Sequence, residues 1–348
     1  MSDAQMPITV AEYEPLARAR LEVGAWDYQA GGAGDEHSLA DNLASWARVR
    51  LRPRVLVDVA TRDLTTSAFG LDLPHPIVIA PTAAHRLSHP DAELATARGA
   101  AAAGALNTLS TIASVSLEEV AAAEPAGPRW FQLYAPADRG ACRDLVDRAV
   151  AAGYRAIVLT VDLPYPGNRE RDVRNGFELE LGAHLPLDQQ VDERGIIELP
   201  TLSWDDLGWL RSVCPVPLLV KGVLRADDAV RAVDAGCDGV WVSNHGGRQL
   251  DTAISAAEAL PEVAAAMGGR GLLLADGGVR RGIDVLKALA LGADLVAIGR
   301  PVLWALAVDG AEGVQRVIEI LRDELSLAMA LAGCRSIDDV SADLVAAR

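Results

Sequence analysis

A histidine three residues from an arginine, inside a glycine-bearing loop, is the arrangement in this chain best suited to chemistry. Ser243-Asn244-His245-Gly246-Gly247-Arg248-Gln249-Leu250-Asp251 puts an imidazole that titrates near neutrality beside a fixed cation. Its two glycines allow a sharp turn and a close approach of backbone to a ligand. The chemistry would be proton removal from an anionic substrate. A glycine-rich turn carrying a solvated His and Arg has the same letters, so the rest of the chain must decide between the two.

What positions this loop is a strand before it and a helix after it. Gly239-Val240-Trp241-Val242 is apolar and β-branched, and an alanine-rich helical stretch follows. The same unit recurs. Apolar strands are expected at 76–80, 105–110, 129–134, 156–162, 217–223, 239–244, 272–278 and 295–301. Helices are expected near 91–103, 116–123, 139–152, 203–213, 225–235, 255–267 and 281–291. Eight strands, each leading to a helix, imply an α/β chain with a parallel sheet closed as a (β/α)₈ TIM barrel. An open doubly wound sheet is the alternative, weakened by the absence of GxGxxG after any early strand. We expect one domain over 1–348. It would comprise an N-terminal helical extension (about 1–70, with Thr9 a candidate cap and glycines ending the pattern after Tyr28), the barrel (about 76–308) and C-terminal closing helices (about 309–348). The long interruption at about 163–202 is expected to be a mobile lid.

In such barrels the active site gathers at the C-terminal strand ends. Here those ends carry Pro81-Thr82-Ala83, Ser110, Gln132 with Tyr134, Thr160 with Asp162, Lys221, Ser243 with His245, Asp276-Gly277-Gly278, and Gly299-Arg300. Any one of these would pass as a turn or cap residue. All eight ends being polar argues for a site. DGGVRRG after the seventh strand and GRP after the eighth combine glycine amides, a helix N-terminus, Arg280 and Arg300, which is the composition of a phosphate grip.

Composition removes other classes. The 348 residues carry a formal charge of −16, which repels nucleic acid and anionic membrane surfaces. Cys142, Cys214, Cys237 and Cys334 are scattered without a CxxC pair, so neither a disulfide framework nor a metal site is suggested. No apolar run is long enough to span a bilayer, and the N-terminus lacks an export signal, so a cytoplasmic location is expected.

SNHGGRQLD, FQLY, TVD followed by NRERDVRNGF, LVKGV, DGGVRRG and IGRP together resemble the FMN-dependent 2-hydroxy-acid oxidases and dehydrogenases, a family that includes glycolate, lactate and mandelate oxidising enzymes. The resemblance covers about residues 13–333. It implies oxidation of an (S)-2-hydroxy acid to the 2-oxo acid, FMN as cofactor, O₂ (giving H₂O₂) or another carrier as electron acceptor, and a homotetramer. Carried over residue by residue, it makes His245 the base and Asp162 its charge partner. Arg248 and Arg169 become the carboxylate binders, and Tyr134 a donor to substrate. The flavin would be held by Ala80, Pro81, Thr82, Ala83, Ser110, Gln132, Thr160, Lys221, Ser243, Asp276, Gly277, Gly278, Arg280, Gly299 and Arg300. The chemistry agrees: an arginine fork matches a carboxylate, an aspartate stabilises an imidazolium, and a lysine beside the flavin offsets charge on the reduced ring.

Two positions set expectations about substrate. Family members commonly carry a tyrosine before the Ala-x-Gly of the N-terminal segment. Here that position is Gln29, and Tyr28 is expected to point elsewhere. Ile112 stands where glycolate oxidases carry a bulky aromatic. Both favour a roomier pocket and a bulky or aromatic, mandelate-like substrate, with Tyr165 closing over its ring. Glycolate- or lactate-type oxidation is the smaller alternative. A non-redox isomerase or aldolase using Lys221 as a Schiff base, and a non-catalytic flavin-binding protein, are the readings from other classes.

Overall fold

The computed structural model describes residues 6–179, 183–184 and 198–346. An antiparallel pair, β1 (Thr66–Ala68) and β2 (Leu71–Leu73), precedes eight parallel strands: β3 (Ile77–Ile79), β4 (Leu106–Leu109), β5 (Arg129–Leu133), β6 (Ile157–Thr160), β7 (Leu218–Val223), β8 (Gly239–Val242), β9 (Leu272–Ala275) and β10 (Leu295–Ile298). They pair in sequence order and β10 returns to β3, so the sheet is a closed barrel. Each expected strand is present, all but β7 ending one to three residues early where the polar end leaves the sheet.

Strand alternation divides the apolar residues into two cores. Val78, Leu106, Trp130, Val158, Leu219, Trp241, Leu274 and Leu295 fill the barrel interior. Their neighbours Ile77, Phe131, Ile157, Val220, Val240 and Val296 pack outward beneath the helices. The β1–β2 pair supplies Ala68 and Leu73 to the interior core, and Phe69 meets Trp130 at 5.6 Å. The N-terminal mouth of the barrel is therefore plugged, and the opposite mouth is where ligand-facing groups collect. Trp241→Ala would open a cavity here and cost about 3–5 kcal/mol.

The outer helices are α4 (Ala92–Ala103), α5 (Leu117–Ala123), α6 (Arg139–Ala151), α8 (Trp204–Val213), α9 (Ala226–Asp234), α10 (Ala256–Met267), α11 (Gly282–Ala290) and α12 (Arg300–Ala332). Small residues let α4 lie close on α12: a Cβ on Gly99 would meet the Ala311 carbonyl at 2.4 Å. The α12 helix is broken at Asp309 and Gly310, whose backbone is non-helical, so the last barrel helix and the closing helix follow one another directly.

Three N-terminal helices, α1 (Tyr13–Arg18), α2 (Val23–Ala30) and α3 (His37–Arg48), lie outside the barrel. The Thr9 hydroxyl bonds the Glu12 carboxylate rather than capping a backbone N–H. The expected lid at 163–202 contains a short helix, α7 (Glu170–Asn175); its residues 180–182 and 185–197 lie outside the described residues. All four cysteines are buried and unpaired. No helix among the described residues is long and apolar enough to cross a membrane.

Candidate active site

A cleft of about 1020 Å³ opens at the C-terminal mouth of the barrel. Ala80, Pro81, Thr82, Ala83, Ser110, Ile112, Tyr134, Arg169, Lys221, His245, Arg248, Asp276, Gly277, Gly278, Arg280, Gly299 and Arg300 all line it, as does Gln29. Gln132, Thr160, Ser243 and Asp162 lie behind this surface and hold it in place. Gln132 accepts from the Ser110 hydroxyl and donates to Thr160 Oγ1 at 2.9 Å. Ser243 Oγ accepts from Lys221 Nζ at 3.1 Å and from the His245 amide at 3.0 Å, and donates to Asp276 at 2.7 Å.

His245 has φ +57°, a left-handed conformation that costs a non-glycine residue energy and swings its ring into the cleft. Its Nδ1 lies 2.9 Å from Asp162 Oδ1. Since a carboxylate can only accept, Nδ1 carries the proton and the Nε2 lone pair is left for a ligand. Burial, opposed by Asp162, holds the imidazole below its ordinary pKa of 6.5, with Lys221 and Arg169 adding to the lowering. Burial pushes the Asp162 carboxyl up, but His245 and Lys221 outweigh it and keep the group ionised. The base is thus neutral at rest, with a charge partner in contact. Its seat depends on Gly222, which sequence reasoning passed over: φ is +107°, β7 bulges there, and a Cβ would meet Asp162 Cγ at 2.4 Å. An isolated glycine inside LVKGV was the available signal.

Opposite His245 stand the anion-binding groups. Arg169, the N-cap residue of α7, is buried and its Nε has no hydrogen-bond partner among the described residues. Arg248 donates to the Tyr28 carbonyl at 2.5 Å and the Gly31 carbonyl at 3.1 Å, both through one nitrogen, leaving the rest of its fork open. Burial, then Arg248 beside it, lowers Arg169 to about 10, so it stays a cation at neutral pH. Tyr134 is buried, which pushes its phenol well up and keeps it a donor.

Here the structure corrects the expectation for Tyr28 and Gln29. Tyr28 does not point elsewhere. Its ring lines the cleft 4.9 Å from the Arg248 guanidinium and 6.0 Å from that of Arg169, and stacks on Phe177 at 4.9 Å. Gln29 turns its amide away, exchanging hydrogen bonds with Ser88 at 2.9 and 3.2 Å. The phenol expected to be missing is therefore present one position earlier, because residue 28, and not 29, falls on the face of α2 that meets α7. Asp27 and Tyr28 both meet α7 or the residues that follow it: Arg171 pairs with Glu36 at 2.5 Å and Asp27 at 3.7 Å, and Asn175 bonds Asp27 at 2.7 Å. Tyr165 is also displaced from its expected role. It is 59% exposed, and Leu163 lines the cleft instead. Ile112 lies where expected, buried in an apolar cluster with Ala84, Leu163, Leu179 and Leu199.

The other end of the cleft fits FMN. Gly277 and Gly278 follow β9 with φ +94° and +77°, and α11 begins just beyond. Arg280 lies 4.7 Å from the Trp304 ring, and burial lowers it to about 10. Arg300 donates to the carbonyls of Gln29, Gly246 and Gly31, and burial together with Arg248 and Arg280 lowers it strongly. Neither arginine has an ion pair among the described residues. Half-buried cations with no ion-pair partner among the described residues, facing glycine amides at a helix start, match a phosphate. Between the two ends, Lys221 Nζ lies 3.4 Å from Asp276 Oδ2 and donates to Ser243 Oγ at 3.1 Å, the geometry of an ion-paired side chain and not of an amine poised to attack a carbonyl.

Barrel, phosphate grip and paired histidine base define a flavin-dependent oxidoreductase. The model of the FMN-dependent dehydrogenase family matches residues 17–347, and the chain belongs to that family, with FMN as its cofactor. It is 50% identical to an L-lactate oxidase of Nostoc sp., with 98% of each chain covered. It is 46% identical to the glycolate oxidase of Spinacia oleracea over 98% of this chain and 96% of that one. A crystal structure of mandelate oxidase superposes with a TM-score of 0.92 at 44% identity, covering 99% of each chain.

Proposed function

We propose that the protein oxidises an (S)-2-hydroxy acid bearing an apolar side chain to the 2-oxo acid, with O₂ reoxidising the flavin and giving H₂O₂. The observation that carries this is the His245 Nε2 lone pair set across the cleft from Arg169, Arg248 and Tyr28. A carboxylate bound by those three groups places the adjacent hydroxyl-bearing carbon toward the imidazole. Arg169 and Arg248 supply donors in fork geometry, and the Tyr28 and Tyr134 phenols donate to the carboxylate and the reacting oxygen. His245 takes a proton at Nε2, and Asp162 stabilises the imidazolium that forms. FMN, when bound, supplies the acceptor for the two electrons lost from the C2–H bond. Gln132, Thr160, Ser243 and Lys221 would hold it, with Lys221 supplying positive charge to offset that of the reduced cofactor.

Substrate selection rests on Ile112, Ala83 and Leu163, which form an apolar wall with no donor or acceptor on their side chains. A hydrogen at C2, as in glycolate, leaves that wall uncovered, whereas an alkyl or aryl group is buried against it, worth about 1.5–3 kcal/mol for a side chain of Leu or Phe size. The mandelate-like end of the range keeps the support of Ile112 but loses the argument from a missing phenol, because Tyr28 is in place. Lactate and mandelate, which relatives named above act on, both carry such a group. Steady-state kinetics with glycolate, lactate and mandelate test the reading: kcat/KM should be lowest for glycolate. A preference for glycolate would refute it. Assembly as a tetramer and a cytoplasmic location accompany this proposal as expectations of the same family resemblance.

A further inference from the structure

His85 lies outside the cleft, on the connection between β3 and α4, and is 4% exposed. Both of its ring nitrogens meet threonine hydroxyls: Nε2 is 2.7 Å from Thr82 Oγ1 and Nδ1 is 2.8 Å from Thr96 Oγ1. The residue is fixed from a third side as well, because its amide donates to Glu93 Oε1 at 3.0 Å, an oxygen that also accepts from the Ser114 amide at 2.9 Å. Thr82 lines the cleft; His85, Thr96 and Glu93 do not. The network therefore reaches the ligand through one hydroxyl.

The proton positions follow from which groups have alternatives. Burial keeps the ring neutral, so one nitrogen carries hydrogen and the other a lone pair. Among the described residues the Thr96 hydroxyl has no hydrogen-bond partner except Nδ1. A buried O–H that donates to nothing costs about 1–3 kcal/mol, so Thr96 donates and Nδ1 accepts. Nε2 then carries the hydrogen. It faces Thr82, whose backbone carbonyl is also close to the ring, an acceptor only a ring N–H can use. Thr82 Oγ1 then accepts from Nε2, so its own O–H no longer points at the ring and is free to donate into the cleft that Thr82 lines.

We propose that His85 is a positioning residue for the flavin: as the Nε2–H tautomer it fixes the Thr82 hydroxyl as a hydrogen-bond donor into the cleft. The oxidised isoalloxazine presents nitrogen and carbonyl acceptors and matches a donor held in one direction. A freely rotating hydroxyl would divide its time between donating and accepting. His85 thus acts on the cofactor without touching it.

Two measurements test this. In the full-length protein, the ¹⁵N shifts of His85, assigned by their loss in His85→Gln, should show a protonated Nε2 and a bare Nδ1. A protonated Nδ1 or an imidazolium would overturn the proposal, and the protonation state itself is read in the parent protein. In the holoenzyme, release of FMN on dilution, followed by flavin fluorescence, gives a double-mutant cycle. His85→Leu and Thr82→Val should each weaken FMN binding roughly tenfold, the worth of one hydrogen bond, and the double variant no further than either. His85→Gln, whose amide N–H can replace the ring N–H, should restore most of the loss. Effects that multiply to roughly a hundredfold in the double variant, or a His85→Leu protein that retains FMN like the parent, would show that His85 does not act through Thr82.

Discussion

At one end of the cleft the ligand-facing groups all stand on the barrel itself; at the other, Tyr28 and Arg169 from segments laid over the barrel join Arg248 and Tyr134 from its strand ends. The phosphate end is built from the turns after β9 and β10, where adjacent strands fix the spacing of Gly277, Gly278, Arg280, Gly299 and Arg300. The carboxylate end takes Tyr28 from α2 and Arg169 from the start of α7, two short helices joined by the Tyr28–Phe177 stack and the pairing of Arg171 with Glu36 and Asp27. His245 lies between them, on a strand end but with its partner Asp162 two residues beyond β6. The cofactor is therefore gripped by the rigid part of the molecule, and substrate by the part with fewer barrel contacts.

The largest effect should come from the group between the ends. His245→Ala should keep its flavin and slow anaerobic reduction by substrate roughly 10²–10⁴-fold in stopped-flow. In the parent, kcat/KM should fall as pH drops through the lowered His245 pKa, below 6.5, because protonation removes the lone pair. The plateau should lie above that value. A limb above 6.5 would mean Asp162 dominates burial.

The two ends should then separate. Arg280→Ala should weaken FMN binding by roughly 10–100-fold, the loss of a charge-assisted bond, while KM of the flavin-saturated enzyme stays within about twofold. Tyr28→Phe should do the reverse, raising KM for the hydroxy acid about tenfold with FMN affinity unchanged. Gln29→Ala should move neither by more than about threefold. If Gln29→Ala raised KM as much as Tyr28→Phe, the register of α2 described here would be wrong. A modest effect is expected at the Arg171–Glu36 ion pair: Glu36→Gln should raise KM about twofold to threefold, since the pair is partly exposed. In the parent, added salt should produce a similar rise.

What was legible in the sequence divides along the same line. Strand ends could be read because a closed barrel leaves one place for them: once eight apolar runs are counted, DGGVRRG and SNHGGRQLD must face the same mouth. Residues 23–30 offered no such frame. Tyr28 and Gln29 are adjacent, so on a helix they point about 100° apart, and which one faces the ligand depends on how α2 docks. The docking is set by Phe177 and by a Cβ-free Gly24, above which Phe177 sits at 3.0 Å from a hypothetical Cβ. That contact is long-range in sequence and had no local signal. Leu163 in place of Tyr165 is the same kind of miss: both lie on one loop, and its path over the mouth is decided by bonds such as those from Gln249 to the Asp162 and Tyr165 carbonyls.

The packing of α3 on the phosphate loop has a consequence for the order in which the molecule is made. Trp46 donates to the Gly277 carbonyl, Lys287 donates to the Trp46 carbonyl, and Asn42 exchanges bonds with Asn244 and leaves no room for a Cβ on Gly278. Further along, Arg300 holds the carbonyls of Gln29 and Gly31. Residues among the first to leave the ribosome thus find their full set of partners only after about residue 300 has been added. Until then the barrel mouth on which the N-terminal helices dock is not closed, and closing so long a loop delays the contact further. A nascent chain halted before β10 should leave residues 23–48 open to protease, and their protection should arrive in one step with the last strand and helix.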